Sequence, residues 1–129
     1  MIRKYREGDE LQIDMSDESR RDYVGIENQT REVLMSSKSY TILDSNGEIG
    51  VVASIYDWPD GRKMLWALYD KYRATRCIST MARLVKKMKA RGLDCFTESE
   101  DNDRQTRLHE ILGFTKIGVE DGRAKWVVL

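Results

Sequence analysis

The chain has 129 residues, the length of one domain with a substantial core. Its 22 basic and 22 acidic residues cancel, which argues against a nucleic-acid or polyanion binder. No apolar run is long enough to cross a membrane and no signal-peptide pattern is present, so the expected location is the cytoplasm. Cys77 and Cys95 are too few for a disulfide framework. A single histidine, His109, cannot build a usual zinc site, so no metal is expected. No repeat or linker divides the sequence, and residues 1–129 read as one domain.

Residues 1–5 alternate apolar and charged side chains, as a half-buried strand does. A turn at Gly8 follows, with Asp9 placed to cap a brief helix carrying Leu11 and Ile13. From Ser16 a helical stretch puts Tyr23, Ile26, Thr30, Val33 and Leu34 roughly on one face, with Gly25 weakening its middle. Residues 39–43 are rich in strand formers, and Asn46-Gly47 suits a tight hairpin turn. Residues 48–56 alternate as a second strand of that hairpin. A turn at residues 58–61 holds the only proline, and residues 62–69 form a third strand, so the three read as an antiparallel meander.

A turn rich in arginine then leads into a helix whose Ile78, Met81, Ala82, Val85 and Met88 share a face, closed by Gly92. Residues 93–97 form a fifth strand, expected to lie parallel to the one ending at Tyr69, with acidic residues 98–101 beyond its end. In the next helix Leu108, Ile111 and Leu112 recur at helical spacing, with Arg104, Arg107 and Glu110 on the other side. Asp101, Asn102 or Asp103 can cap its start and Gly113 suits its end. Two last strands, 114–119 and 123–129, join through a hairpin turn at Gly122.

Asn102, a helix, and the exit Leu112-Gly113-Phe114 into a strand resemble the fourth conserved segment of the GCN5-related N-acetyltransferase (GNAT) superfamily. The order β-α-α-β-β-β-α-β-α-β-β extends the resemblance over nearly the whole chain. It implies a mixed, mostly antiparallel, seven-stranded twisted sheet with helices on both faces. It also implies acetyl-CoA as cosubstrate, lying where two parallel strands splay. Its pantetheine would pair with the backbone near Leu68 and Tyr69, and Asn102 would contact it. The family's Gln/Arg-x-x-Gly-x-Gly/Ala turn holds the pyrophosphate on backbone amides. Here no glycine occurs between Gly61 and Gly92. Cys77 and Ser79 are small enough to stand in for the glycines, which would put the pyrophosphate against the amides of Arg76, Cys77, Ile78, Ser79 and Thr80. Arg73 and Arg76 can add charge-assisted contacts. The alternative is an ordinary amphipathic helix with solvated arginines. Phage-encoded GNAT-like proteins with eroded pyrophosphate turns are also similar, which would place the protein in a host cytoplasm or a virion.

Acetyl transfer needs a proton acceptor, a stabilised oxyanion and a protonated leaving thiolate. Glu98 is the leading candidate base, ahead of Asp70 and Glu100, each of which reads equally well as a solvated acid. The resemblance puts His109 where a family tyrosine protonates the thiolate, and an imidazolium can serve as that acid. Its plain alternative is a half-exposed helix residue bonded to a carboxylate. Two functions follow: an N-acyltransferase acting on a primary amine, or a catalytically inactive GNAT-fold protein that binds a protein partner. A monomer and a homodimer are equally compatible with the sequence.

Overall fold

The computed structural model describes residues 1–129. Strand β1 (Ile2–Lys4) is followed by a 3-10 turn at Asp9–Gln12, helices α1 (Asp17–Tyr23) and α2 (Glu27–Ser36), and strands β2 (Lys38–Leu43), β3 (Ile49–Asp57) and β4 (Lys63–Tyr69). A second 3-10 turn, Ala74–Cys77, runs into α3 (Ile78–Ala90). Then come β5 (Cys95–Glu100), α4 (Asp103–Leu112), β6 (Thr115–Glu120) and β7 (Arg123–Val127). The sheet order is β1-β2-β3-β4-β5-β7-β6, and only β4 and β5 run parallel. The mixed seven-stranded architecture and the order of elements are those expected.

Central strand β3 is covered on both faces, so its alternation has no exposed half. On one face Val51, Ala53 and Leu65 pack with Met81, Val85 and Met88 of α3 and with Leu112, Phe114 and Trp126. On the other, Val52 and Leu68 pack with Ile13 and Leu34. Trp126 on β7 is only 1% exposed, the largest side chain buried so completely.

Four local expectations change. Ile2 is exposed, and Arg3 turns inward to form a bidentate pair with buried Asp9 at 2.8 and 3.1 Å. Asp9 does not cap its turn; its carboxylate is occupied by Arg3, the Arg6 amide and the Thr41 hydroxyl. The helix expected from Ser16 breaks into two at Gly25, whose φ of 91° no L-residue adopts cheaply. Ile26 is therefore exposed rather than on the buried face. Glu98 and Glu100 lie within β5 rather than beyond it, because β7 pairs along that strand from Phe96 to Glu100.

Candidate active site

The site begins where two strands part. β4 pairs with β5 only at Lys63↔Cys95 and Met64↔Phe96. Beyond that point β5 is held by β7 alone, and a gap opens between residues 65–69 and 97–100. Backbone direction alternates along a strand, so residue parity decides which groups face the gap. The Lys63 amide donates to Asp94 on the β5 side, and the Asp70 amide donates to Gly50 on the β3 side. Lys63, Leu65, Ala67 and Tyr69 therefore face the gap, while Leu68 faces β3 and buries its side chain in the second core. The Leu68 expectation is thus corrected: Ala67 is the residue whose amide and carbonyl meet the gap without a backbone partner.

Tyr69 faces the gap, but its backbone is already engaged by α1. Its amide donates to Ser19 Oγ at 2.9 Å, and its carbonyl accepts from the Ser16 amide at 2.9 Å. Ser16 also caps α1, accepting from the Ser19 amide at 3.2 Å. Two ion pairs carry α1 across to the far side of the gap. Arg21 grips Glu100 with bonds of 2.6 and 2.7 Å, and Asp22 approaches Arg123 at 3.6 Å. The Arg21 bonds hold the Glu100 carboxyl below its ordinary range. Burial pushes the Asp22 carboxyl up and the Tyr69 phenol to about 12.

Beneath α1 the gap encloses about 50 Å³, lined by Ala67, Tyr69, Glu98, Ser99, Gln105 and His109 among others. An open groove of about 480 Å³ runs from it between the start of α3 and one side of α4. Glu18, Tyr69 and Gln105 line both spaces, so the two adjoin. No basic side chain within 4.0 Å and no hydrogen bond engages the Glu18 carboxylate.

His109 is neither half-exposed nor bonded to a carboxylate. α4 is rotated about one residue from the expected orientation, a turn of roughly 100° about its axis. Gln105, His109 and Leu112 face inward, while Ile111 is 55% exposed. The imidazole stacks on Trp126 at 5.0 Å with an 18° interplanar angle and tilts against Phe114. Trp126 Nε1 donates to Ser99 Oγ at 2.9 Å, which fixes the platform. His109 Nδ1 lies 2.8 Å from the Gln105 carbonyl, and a carbonyl only accepts, so Nδ1 carries the hydrogen. Burial lowers the imidazole pKa, which favours this neutral tautomer. Nε2 is left with a lone pair and no protein partner. A lowered pKa favours a neutral imidazole whose Nε2 can accept a proton, a role different from that of the expected imidazolium acid.

Of the other candidates, Glu98 lines the enclosed space but pairs with Lys125, with Arg123 Nε at 4.0 Å. Asp70 is 1% exposed and saturated by amides, which excludes it as a base. Arg73 does not face a phosphate site. Its guanidinium donates to the carbonyls of Ile49 (2.9 Å) and Gln12 (3.1 Å) and pairs with Glu48 and Asp70. The Arg76 side chain is largely exposed and leans toward Asp44 at 3.5 Å, and its amide donates back to Arg73. Cys77 is fully buried, its Sγ 3.8 Å from the Ile42 carbonyl. Ser79 is exposed, and Ile78, Ser79 and Thr80 open α3, where a helix leaves its first amides without intrahelical acceptors. Asn102 caps α4 through Oδ1 to the Gln105 amide at 2.9 Å and lines neither space.

The sequence reading overlooked the α1 residues Ser16, Glu18 and Ser19, together with Gln105, Arg123 and the Trp126 platform. Only their places around the gap in the folded chain mark them. No family profile and no curated protein matches the chain by sequence. Solved structures match it by fold. A Bacillus subtilis acetyltransferase in complex with CoA aligns with a TM-score of 0.69 at 14% identity, covering 98% of this chain and 96% of that one. A GNAT superfamily phosphinothricin acetyltransferase from Sinorhizobium meliloti, in complex with AcCoA, aligns at 0.66 and 13% identity, covering 98% and 86%. A chimeric spermidine N-acetyltransferase from Vibrio cholerae aligns at 0.68 and 10% identity, covering 100% and 94%. At these identities the likeness establishes the fold, and it is the fold of GNAT acetyltransferases.

Proposed function

We propose that the protein transfers an acetyl group from acetyl-CoA to a primary amine. The observation that carries this reading is the parted β4–β5 pair, with an unpartnered imidazole nitrogen inside the gap and a groove leading into it. Structures sharing the fold at high coverage hold CoA or AcCoA, which supports the same donor here.

The groove suits the donor in outline. Ala74, Ile78, Leu108 and Ile111 give it an apolar floor, and it adjoins the enclosed space beside Ala67. The Ala67 amide is the backbone donor facing the gap, and it serves a developing oxyanion there. Glu18, at the junction of the two spaces, attracts an alkylammonium. After the ammonium loses one proton to solvent, the amine nitrogen attacks the thioester carbon. A C–N bond forms and the C–S bond breaks. His109 Nε2 takes the second proton from nitrogen and returns it to the departing thiolate. A neutral imidazole can do both, whereas an imidazolium could not begin.

Calorimetric titration with acetyl-CoA, together with thiol release over a panel of amines, tests the reading. Wild-type protein should bind and turn over. His109→Ala should lose on the order of 10²–10⁴ in turnover while keeping its acetyl-CoA affinity. Absence of both binding heat and thermal protection by acetyl-CoA would sink the proposal and leave a GNAT-fold scaffold that binds a protein partner.

A further inference from the structure

The turn into α3 lacks the glycines that let several amides converge on an anion. Its early amides are also engaged internally. Those of Tyr72 and Arg73 bond the Asp70 carboxylate, that of Ala74 the Asp70 carbonyl, and that of Arg76 the Arg73 carbonyl. A diphosphate laid against this turn would find only the few amides that open α3, so its charge must be met from elsewhere.

The opposite wall of the groove supplies cations. Rotation of α4 brings Arg104, Arg107, Leu108 and Ile111 onto its groove side, at i, i+3, i+4 and i+7. Neither arginine lies within 4.0 Å of a carboxylate, although Asp103 and Glu110 share the helix. Most other arginines around the site are engaged: Arg21 with Glu100, Arg73 with Glu48 and Asp70, Arg123 with Asp22. Two unpaired guanidiniums thus stand beside an apolar floor that includes Ile111, an isoleucine left more than half exposed.

We infer that Arg104 and Arg107 bind the diphosphate of the acyl-CoA donor through side-chain contacts, taking over from the glycine turn, with Leu108 and Ile111 covered by the nucleotide end. The inference rests on the proposed function. A guanidinium fork matches a phosphate's oxygens bidentately, so two on successive turns hold a diphosphate without a backbone nest.

The test is calorimetric titration of the full chain with CoA and with pantetheine, which lacks every phosphate. Arg104→Gln and Arg107→Gln should each weaken CoA binding roughly tenfold or more, as loss of a charged hydrogen bond does. Pantetheine affinity should stay at its wild-type value, and the Arg→Lys variants should recover part of the loss. If wild type binds CoA and the Gln variants bind it equally, this inference falls while the donor assignment stands. Equal weakening toward CoA and pantetheine would also overturn it, since that signals a distorted groove. A wild-type protein that binds no CoA overturns both.

Discussion

Asp70→Asn is the sharpest perturbation of the framework around the site. The Asp70 carboxylate is 1% exposed, accepts three amide hydrogen bonds and forms an ion pair with Arg73. Oδ1 takes the Tyr72 amide at 2.9 Å and the Arg73 amide at 2.8 Å, while Oδ2 takes the Asp14 amide at 2.8 Å and lies 3.1 Å from the Arg73 guanidinium. Asparagine keeps the shape and one oxygen but places an NH₂ group where Oδ2 stood, facing two donors. One charge-assisted hydrogen bond, worth about 1.5–3 kcal/mol, is lost together with the buried ion pair to Arg73, for a total of about 3–6 kcal/mol. A domain of this size has about 5–15 kcal/mol in all. With a urea slope of about 1–3 kcal/mol/M, the unfolding midpoint should fall by at least ~1 M at an unchanged slope. The pH dependence gives a second reading. Burial pushes the Asp70 pKa up, but the amide bonds and Arg73 outweigh it, and the net shift is downward. A depressed carboxylate contributes stability above its unfolded value of 3.8, and the contribution is lost as pH falls through the folded value. The variant should therefore show a shallower acid limb as pH falls below 3.8. A loss below about 1 kcal/mol with an unchanged acid limb would refute the reasoning, because surface polar substitutions stay within that range.

Three further outcomes follow from the site. Turnover per bound substrate should rise with pH through an inflection below the ordinary histidine value of 6.5 and then level off, because burial lowers the His109 pKa; a profile falling with pH would restore the acid role. The enclosed space of about 50 Å³ holds only a few water-sized groups, so acetyl-CoA should be a better donor than hexanoyl-CoA in competition assays. Trp126→Ala removes a fully buried ring and the stack on His109, and should cost about 3–5 kcal/mol in denaturant unfolding while also lowering turnover.

Element order, the hairpins and the single parallel pair are legible in the sequence because each rests on local chemistry: Asn46-Gly47, Gly92, Gly113, and period-two or helical spacing. What escapes is geometry set by partners far along the chain. Ile2 looks like a core residue until Asp9 draws Arg3 inward. Leu108, Ile111 and Leu112 fit a helical stripe, but His109 fills the inner position because Trp126 lies 17 residues away and stacks on it. Arg73 looks free until the carbonyls of Ile49 and Gln12 are seen to accept from it. The site residues on α1 carry no motif, since Ser16 and Ser19 matter only through the backbone of Tyr69, far along the chain.

That clasp makes the protein its own competitor. A donor arm pairing along β4 as far as Tyr69 would need the amide held by Ser19 and the carbonyl held by Ser16. Observed affinity is then intrinsic affinity scaled by the fraction of molecules with the clasp released. Loosening α1 at Ser19 or at Arg21 would raise that fraction and tighten donor binding, even though each change removes a contact from the folded chain.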